Sequence, residues 1–483
     1  MTDVIDRDAV QAACPMHQQS ESTKVSDDAV APHNLDALPL PPLVEGGLPF
    51  IGRGLEVMKH PLKFMLKYEK ELGDCYRFKV ANREYFVLSN VDASEFAAKN
   101  GREYLKSGAL WADFAKEWDM PNQMLGLDGE KHAKSRRLFK SKMSKNLAVE
   151  CHQKFEEVTK KVVGELQAGQ VESVRDLTRY LVNSLVSTAF NGSSELIDKQ
   201  FAIDAIDWQT QTFNIFVLKK WPRLMKWRPS FKRKGKAVWD YVEKTIAEKT
   251  QNPGDDFASY VLELARNNPD LFETEGDLKF NIVAPLFAGA DTVGTTSTFM
   301  LHELCFNPSL RERVTAAVDK AVAENGGAIP SPEFLKDHVP ELYGLCMETL
   351  RLYPTAFSIS RTATQSFAFK GYRIPKDSEV LVVTTAAHFD ERFYKYPRKF
   401  DIDRYSAPRE EHKARYAFQP YGVGTHVCLG AGFAELLFLT LAATIIYHFD
   451  FEVADPHREY QQIFDPSLGI ETGFKIRMKG WRH

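Results

Sequence analysis

The chain has 483 residues, 44% of them apolar and 12% aromatic, with a formal net charge of −3. That is enough apolar mass for a sizeable core, and so even a charge balance gives no global sign of a nucleic-acid binder. The six cysteines, Cys14, Cys75, Cys151, Cys305, Cys346 and Cys428, show no paired CxxC spacing, which argues against a disulfide framework and a zinc site and fits a reducing, cytoplasmic compartment.

Residues 1–38 carry seven acids against two bases, the composition of a disordered acidic tail; Cys14-Pro15 lies within it. The tail shows no basic n-region followed by an apolar h-region, and no run near the N-terminus approaches the 18 apolar residues of a membrane span. Residues 39–483 read as a single domain. Prolines and glycines from Leu40 to Gly52 specify an extended, turning lead-in. A helical stretch follows from His60 to Leu72, then β-like alternation at Asp74–Val80 and Glu84–Leu88. A second β-like cluster falls at Phe367–Ile374 and Glu379–Val383. Elsewhere the 3.6-residue period dominates, so the fold class is mainly α with a small β region.

Asp277–Phe306 reads as one long helix, with Asp277 as its N-cap and Asn307-Pro308 ending it. It is apolar on most sides and so runs through the core, yet its middle is Ala288-Gly-Ala-Asp-Thr-Val293. A buried acid there is costly without a purpose; the plain alternative is a threonine bonded back to its own helix and an aspartate at a local kink. Gly289 and Pro285 both weaken the helix, so a kink is expected at Gly289, beginning a turn early at Pro285.

Cys428 sits in Tyr421-Gly-Val-Gly-Thr-His-Val-Cys428-Leu-Gly430, just before an apolar helical run. Glycines let the backbone approach closely, and a helix N-terminus favours a thiolate. A lone cysteine is usually a small hydrophobe. A dinucleotide loop would need glycine where Val427 stands. The spacing Tyr-Gly-x-Gly-x-His-x-Cys-x-Gly resembles the haem-binding loop of the cytochrome P-450 family, with Tyr421 in place of the usual phenylalanine.

The resemblance runs from about Leu40 to the C-terminus and implies the cytochrome P-450 fold, with a long central helix over haem b (iron protoporphyrin IX). It implies that Cys428 is the axial metal ligand, in a loop shaped by Tyr421, Gly422 and Gly430. An axial thiolate favours O–O cleavage, which needs two protons at the distal oxygen. Thr292 and Asp291 match the family's alcohol and acid positions for relaying and replenishing them. His132 and Arg136, with Arg361 and His426, match positions at the haem propionates. Glu348 and Arg351, three apart on one helix face, and Arg404 match a buried ionic triad that holds the segment before the cysteine loop. By family position the substrate pocket draws on Leu110–Trp118, Phe213, Phe216, Val217, Phe287, Ala288, Thr355–Ile359 and Leu468–Ile470.

The implied reaction is monooxygenation of a lipophilic small molecule, such as a steroid, terpenoid or fatty acyl compound, with O2 and electrons from an external ferredoxin- or flavodoxin-type donor and its reductase. Seven bases between Lys131 and Lys145 suit an acidic donor, or are an ordinary charged face. Lys219–Lys236 holds nine bases, no acids, two tryptophans and a phenylalanine, which suits peripheral contact with an anionic membrane better than nucleic acid. Three rivals stand beside this reading: a haem-thiolate isomerase or peroxygenase fed by a peroxide, a non-catalytic haem sensor or carrier, and a helical protein without haem.

Overall fold

The computed structural model describes residues 35–483 apart from Pro49, Ser194 and Pro466. The acidic tail expected over 1–38 lies outside the described residues up to residue 34, as does Cys14-Pro15; Leu35–Ala37 forms a short 3-10 turn. Mostly helical chain packs beside a five-stranded sheet, in the order Cys75–Val80, Arg83–Ser89, Glu379–Val383, Ile359–Ala363, Leu105–Lys106.

The sheet begins as a hairpin, with Cys75 opposite Leu88 and Val80 opposite Arg83. Glu379–Val383 then runs parallel to Arg83–Ser89, Tyr85 facing Glu379, and joins segments almost 300 residues apart. Side chains alternate between faces. Phe86, Leu88, Val380 and Val382 pack with Phe96 and Phe367 on one side. Phe78, Val87 and Val383 pack with Phe64 and Met65 on the other, beneath the helix Pro61–Leu72.

The long central helix spans Glu275–Phe306, and its start corrects the expected N-cap. Thr274 is the cap: its hydroxyl accepts from the Asp277 N–H at 3.1 Å, and the Asp277 carboxylate accepts from the Thr274 N–H at 3.3 Å. This is a capping box, and the acid three residues inside a helix was taken for the residue that opens it. Asp277 also receives the Asn122 backbone N–H at 2.8 Å and side-chain amide at 2.9 Å, which explains how a carboxylate is fully buried there. The helix stays α-helical through Pro285 and Gly289.

Val174–Asn191 packs against this helix, and Thr178 and Thr298 share a hydroxyl–hydroxyl bond of 2.9 Å between them. Ala431–His448, directly after the cysteine loop, is apolar all round and largely buried among other helices. Among the described residues it alone is long and apolar enough to cross a membrane, and its burial makes it a core helix.

Candidate functional site

The cysteine loop is a tight turn held by its own backbone. Cys428 N–H donates to the Tyr421 carbonyl at 3.0 Å. Gly422 and Gly424 have φ of +73° and +76°, where only glycine is relaxed. A Cβ at Gly424 would come within 2.7 Å of the Ala97 carbonyl oxygen, so that glycine also seats the loop against the helix Asn90–Lys99. Gly430 precedes Ala431–His448, and a Cβ there would meet nothing. Its N–H acts on the Cys428 thiol and favours the thiolate.

Cys428 is exposed, whereas Cys75, Cys151 and Cys346 are buried. Yet burial by surrounding protein raises its thiol pKa, opposed by the Gly430 N–H and the Arg136 charge. A sulfur both reachable and desolvated lies on a concave wall. The Tyr421 phenol is pushed well above its ordinary pKa by burial, then by the Glu435 and Cys428 charges.

Three bases nearby have no carboxylate partner within salt-bridge reach among the described residues. Arg361 is held down to about 10, chiefly by burial; among the described residues its guanidinium donates only to the Ser360 carbonyl, at 2.7 Å. Arg136 is lowered by burial, against the pull of Cys428. His132, 3% exposed, is lowered to about 4 by burial and then by the charges of His426 and Arg136. Its Nε2 has no hydrogen-bond partner among the described residues. Such a cluster of desolvated donors calls for an anion. The two carboxylates of haem, beside a reachable sulfur, fit that donor set.

Asp128 organises these donors and was not foreseen. It opens the helix Gly129–Lys140, but its carboxylate accepts from the Ser107 and Gly108 N–H groups at 3.0 Å and from His426 Nε2 at 3.3 Å. The His426 and His132 rings stack at 3.9 Å. Burial opposes ionisation of Asp128, but these bonds prevail and hold it below the usual carboxylate range.

On the central helix, Ala288 and Thr292 are exposed while nearly all their neighbours are buried. Residues four apart share a face, so this face lines an internal space. Thr292 donates to the Ala288 carbonyl at 2.8 Å, the back-bonded arrangement, and its oxygen can still accept. Asp291 points elsewhere. It receives the Ser467 hydroxyl at 2.9 Å and lies 3.6 Å from Arg179. A polar cleft of about 20 Å³, lined also by Arg175 and Thr295, is room for about one water. The acid and the alcohol are adjacent in sequence but face different surroundings.

Glu348, Arg351 and Arg404 meet with no exposure. Arg351 donates to both oxygens of Glu348, at 2.7 and 2.8 Å, and Arg404 to one at 3.1 Å. Tyr405 OH and Asp401 N–H, both at 2.9 Å, complete the shell; Glu411 balances Arg404 at 2.7 Å. A second link runs through His388, which the sequence did not single out. Its Nδ1–H donates to the Arg351 carbonyl at 3.0 Å and its Nε2 accepts from Gln419 N–H at 2.9 Å. Burial holds it neutral, down to about 3.

Of the residues expected around the substrate, Trp111, Phe114, Trp118, Phe213, Phe216 and Phe287 gather into an aromatic cluster, whereas Phe357 and Leu468 line a cavity beside the helix Pro61–Leu72. Trp111 meets Phe213 at 5.6 Å and Trp118 meets Phe216 at 5.0 Å. Trp208 and Phe280, not foreseen, tie in Phe287 and Phe114. Phe213–Val217 forms a π-helical turn, a feature frequent at functional sites.

Both basic stretches are far less free than they read. Lys131, Lys134, Lys142 and Lys145 reach Glu273, Asp270, Asp255 and Glu333. In Lys219–Lys236, six of the nine bases pair with acids from elsewhere or, for Lys236, with Asp240. Among the described residues Arg228, Lys232 and Arg233 have no carboxylate partner. At about 1 kcal/mol per base near an anionic surface, the electrostatic pull falls from roughly 9 to roughly 3 kcal/mol. Leu224 and Trp227, 67% and 64% exposed, stand beside them.

A reachable cysteine, with Arg136 acting on it and two more bases nearby that have no carboxylate partner among the described residues, marks a haem-thiolate protein. The cytochrome P450 family model matches residues 41–473, and the chain belongs to that family, haem b oxidoreductases of the monooxygenase class. It is 24% identical to sterol 14alpha-demethylase of Mycolicibacterium vanbaalenii over 431 residues, covering 87% of this chain and 93% of that one. It is 23% identical to cyclooctat-9-en-7-ol 5-monooxygenase of Streptomyces melanosporofaciens, covering 83% and 86%. Among solved structures, retinoic acid-bound cyanobacterial CYP120A1 superposes with a TM-score of 0.79 at 22% identity, covering 92% of this chain and all of that one.

Proposed function

We propose that this chain hydroxylates a lipophilic small molecule of the steroid, terpenoid or fatty acyl kind: RH + O2 + two electrons + two protons give ROH + water. Electrons come from a separate ferredoxin or flavodoxin, and the protein works in the cytoplasm. The observation that carries the reading is the cluster of buried bases His132, Arg136 and Arg361, without carboxylate partners among the described residues, of which Arg136 acts on the reachable Cys428. In this reading Cys428 ligates the iron, Gly430 N–H steadies the sulfur, and the three bases hold the propionates with His426 aligned through Asp128. Bound haem supplies the redox centre at which dioxygen is reduced.

The chain's own part is to position and to move protons. Thr292 presents its hydroxyl on the open face of the central helix, where its oxygen would accept a hydrogen bond and, turned from the Ala288 carbonyl, would donate one. Asp291 draws protons from water in its cleft, and Arg179 and Ser467 fix its carboxylate. The aromatic cluster excludes water and holds an apolar substrate. The named relatives act on a sterol and on cyclooctat-9-en-7-ol, and one structural neighbour holds retinoic acid, all of them lipophilic. With three free bases and two exposed apolar side chains, the segment 219–236 makes peripheral membrane contact chiefly through Leu224 and Trp227.

Thr292→Ala tests the proton route. Donor-dependent consumption of reduced nicotinamide should persist while product falls and peroxide rises. An unchanged product yield would overturn the route and favour a peroxide-using enzyme.

A further inference from the structure

The tip of the C-terminal hairpin touches two parts of the molecule at once. Its strands, Gln462–Phe464 and Leu468–Ile470, pair with Phe464 opposite Leu468. Asp465 and Ser467 therefore stand at the tip, where the Asp465 N–H donates to the Ser467 carbonyl at 2.9 Å. On one side the Ser467 hydroxyl donates to the Asp291 carboxylate at 2.9 Å. On the other, Asp465 Oδ1 accepts from the Asn214 side-chain amide at 2.6 Å and lies 3.4 Å from Lys220 Nζ.

Asn214 belongs to the π-helical turn Phe213–Val217, and in sequence it lies between two rings of the aromatic cluster, Phe213 and Phe216. It is fully buried. Among the described residues its side chain makes one hydrogen bond, the one to Asp465, and its own Oδ1 has no partner. A buried amide bonded once is already costly, and losing that bond costs more. The place of Asp465 is thus tied to the π-helical turn. Lys220, from the segment that follows, is the one base within salt-bridge reach of Asp465 among the described residues.

The tip is short, so a displacement of Asp465 moves Ser467 with it. Asp291 then keeps only Arg179, at 3.6 Å, a guanidinium already bonded to Asp207 at 3.1 Å. We infer, on the reading of Asp291 as the proton source, that Asp465 is a positioning residue: through the hairpin tip it makes the seating of the Asp291 carboxylate depend on the π-helical turn. An apolar guest packed on Phe213 and Phe216 steadies the acid, and a displaced turn loosens it. A direct route competes with this one, because Gln209 in the helix Lys199–Thr212 donates to the Phe287 carbonyl of the central helix at 2.7 Å.

The test is amide hydrogen exchange of the haem-loaded full chain at rest, read by mass spectrometry over residues 213–221 and 286–296. Asn214→Ala should speed exchange over 286–296 about tenfold, although Asn214 makes no hydrogen bond to the central helix among the described residues. Ser467→Ala should do the same and, because coupling is reciprocal, should also speed exchange over 213–221. In the Ser467→Ala background, adding Asn214→Ala should change 286–296 by less than about twofold. A full effect persisting there would assign the link to Gln209 and overturn the inference. Asp465→Ala, at the half-buried tip, should match Asn214→Ala and replaces it if that variant fails to fold. Asp465→Asn keeps an acceptor for the Asn214 amide and should return exchange to within about twofold of wild type. If it behaves as Asp465→Ala does, the Lys220 charge carries the link and the Asn214 route is overturned. Unchanged exchange over 286–296 in both Asn214→Ala and Asp465→Ala would overturn it as well. The measurement needs no donor and no substrate, so it stands apart from the outcome of Thr292→Ala.

Discussion

Glu348→Gln is the perturbation whose size follows most directly from the geometry. Glu348 accepts five hydrogen bonds, from Arg351 Nε and NH2, Arg404 Nε, Tyr405 OH and Asp401 N–H, at 2.7 to 3.1 Å. Glutamine keeps the shape but removes the charge and turns an amide NH2 toward donors. Arg404 retains Glu411; Arg351 retains no carboxylate. Leaving a buried charge uncompensated costs about 3–5 kcal/mol. For a chain of this length, about 1 kcal/mol shifts the melting temperature by roughly 1 °C, so the loss should be about 3–5 °C. Differential scanning calorimetry of the haem-loaded protein reads it, and absorbance gives the haem content. Because the triad holds the segment before the cysteine loop, haem content should fall with it. A melting temperature within 1 °C of wild type and full haem content would refute the reasoning.

Other outcomes follow from single contacts. Arg361→Gln and Arg136→Gln each remove a charge-assisted partner worth about 1.5–3 kcal/mol, so haem transfer to apomyoglobin should speed up by about ten- to a hundredfold; an unchanged rate would detach these arginines from the propionates. His388 resists protonation in the folded state down to about 3, against about 6.5 when unfolded. It therefore costs no stability above pH 6.5 and a growing amount below, as the unfolded chain takes up a proton that the native one refuses. Between pH 6.5 and 5 wild type should lose about 2 kcal/mol more than His388→Gln in urea unfolding, and parallel losses would contradict the neutral histidine. Gly424→Ala combines a left-handed φ with a 2.7 Å approach to the Ala97 carbonyl oxygen; the fraction of thiolate-ligated haem should fall, while Gly430→Ala, with open space around it, should leave packing intact.

The parts legible in the sequence are those where one short string fixes the geometry. Gly422 and Gly424 ahead of Cys428 announce a turn, because their φ values of +73° and +76° admit little else. Glu348 and Arg351 share a helix face by spacing alone. The long helix is legible from its apolar length, but its first residue is not, since Thr274 and Asp277 are both good caps and only the reciprocal bonds decide. What stayed hidden depends on partners far away in the chain. Asp128 meets His426 across 298 residues, and nothing around either predicts it. His388 is a lone histidine until Arg351 and Gln419 occupy both its nitrogens. The Lys219–Lys236 run reads as free charge because Asp113, Glu117, Asp204 and Asp207 lie in other segments. Adjacent numbers misled once as well: Asp291 and Thr292 are neighbours, yet a helix turns them about 100° apart, so one meets Arg179 and the other the open face.

The most direct test of the central claim is the difference spectrum of the reduced protein with and without carbon monoxide. Ligation by Cys428 predicts a strongly red-shifted Soret band, absent in Cys428→Ala and displaced in Cys428→His. An ordinary haem band in stably folded wild type, or no haem after expression with haem supplied, would contradict it.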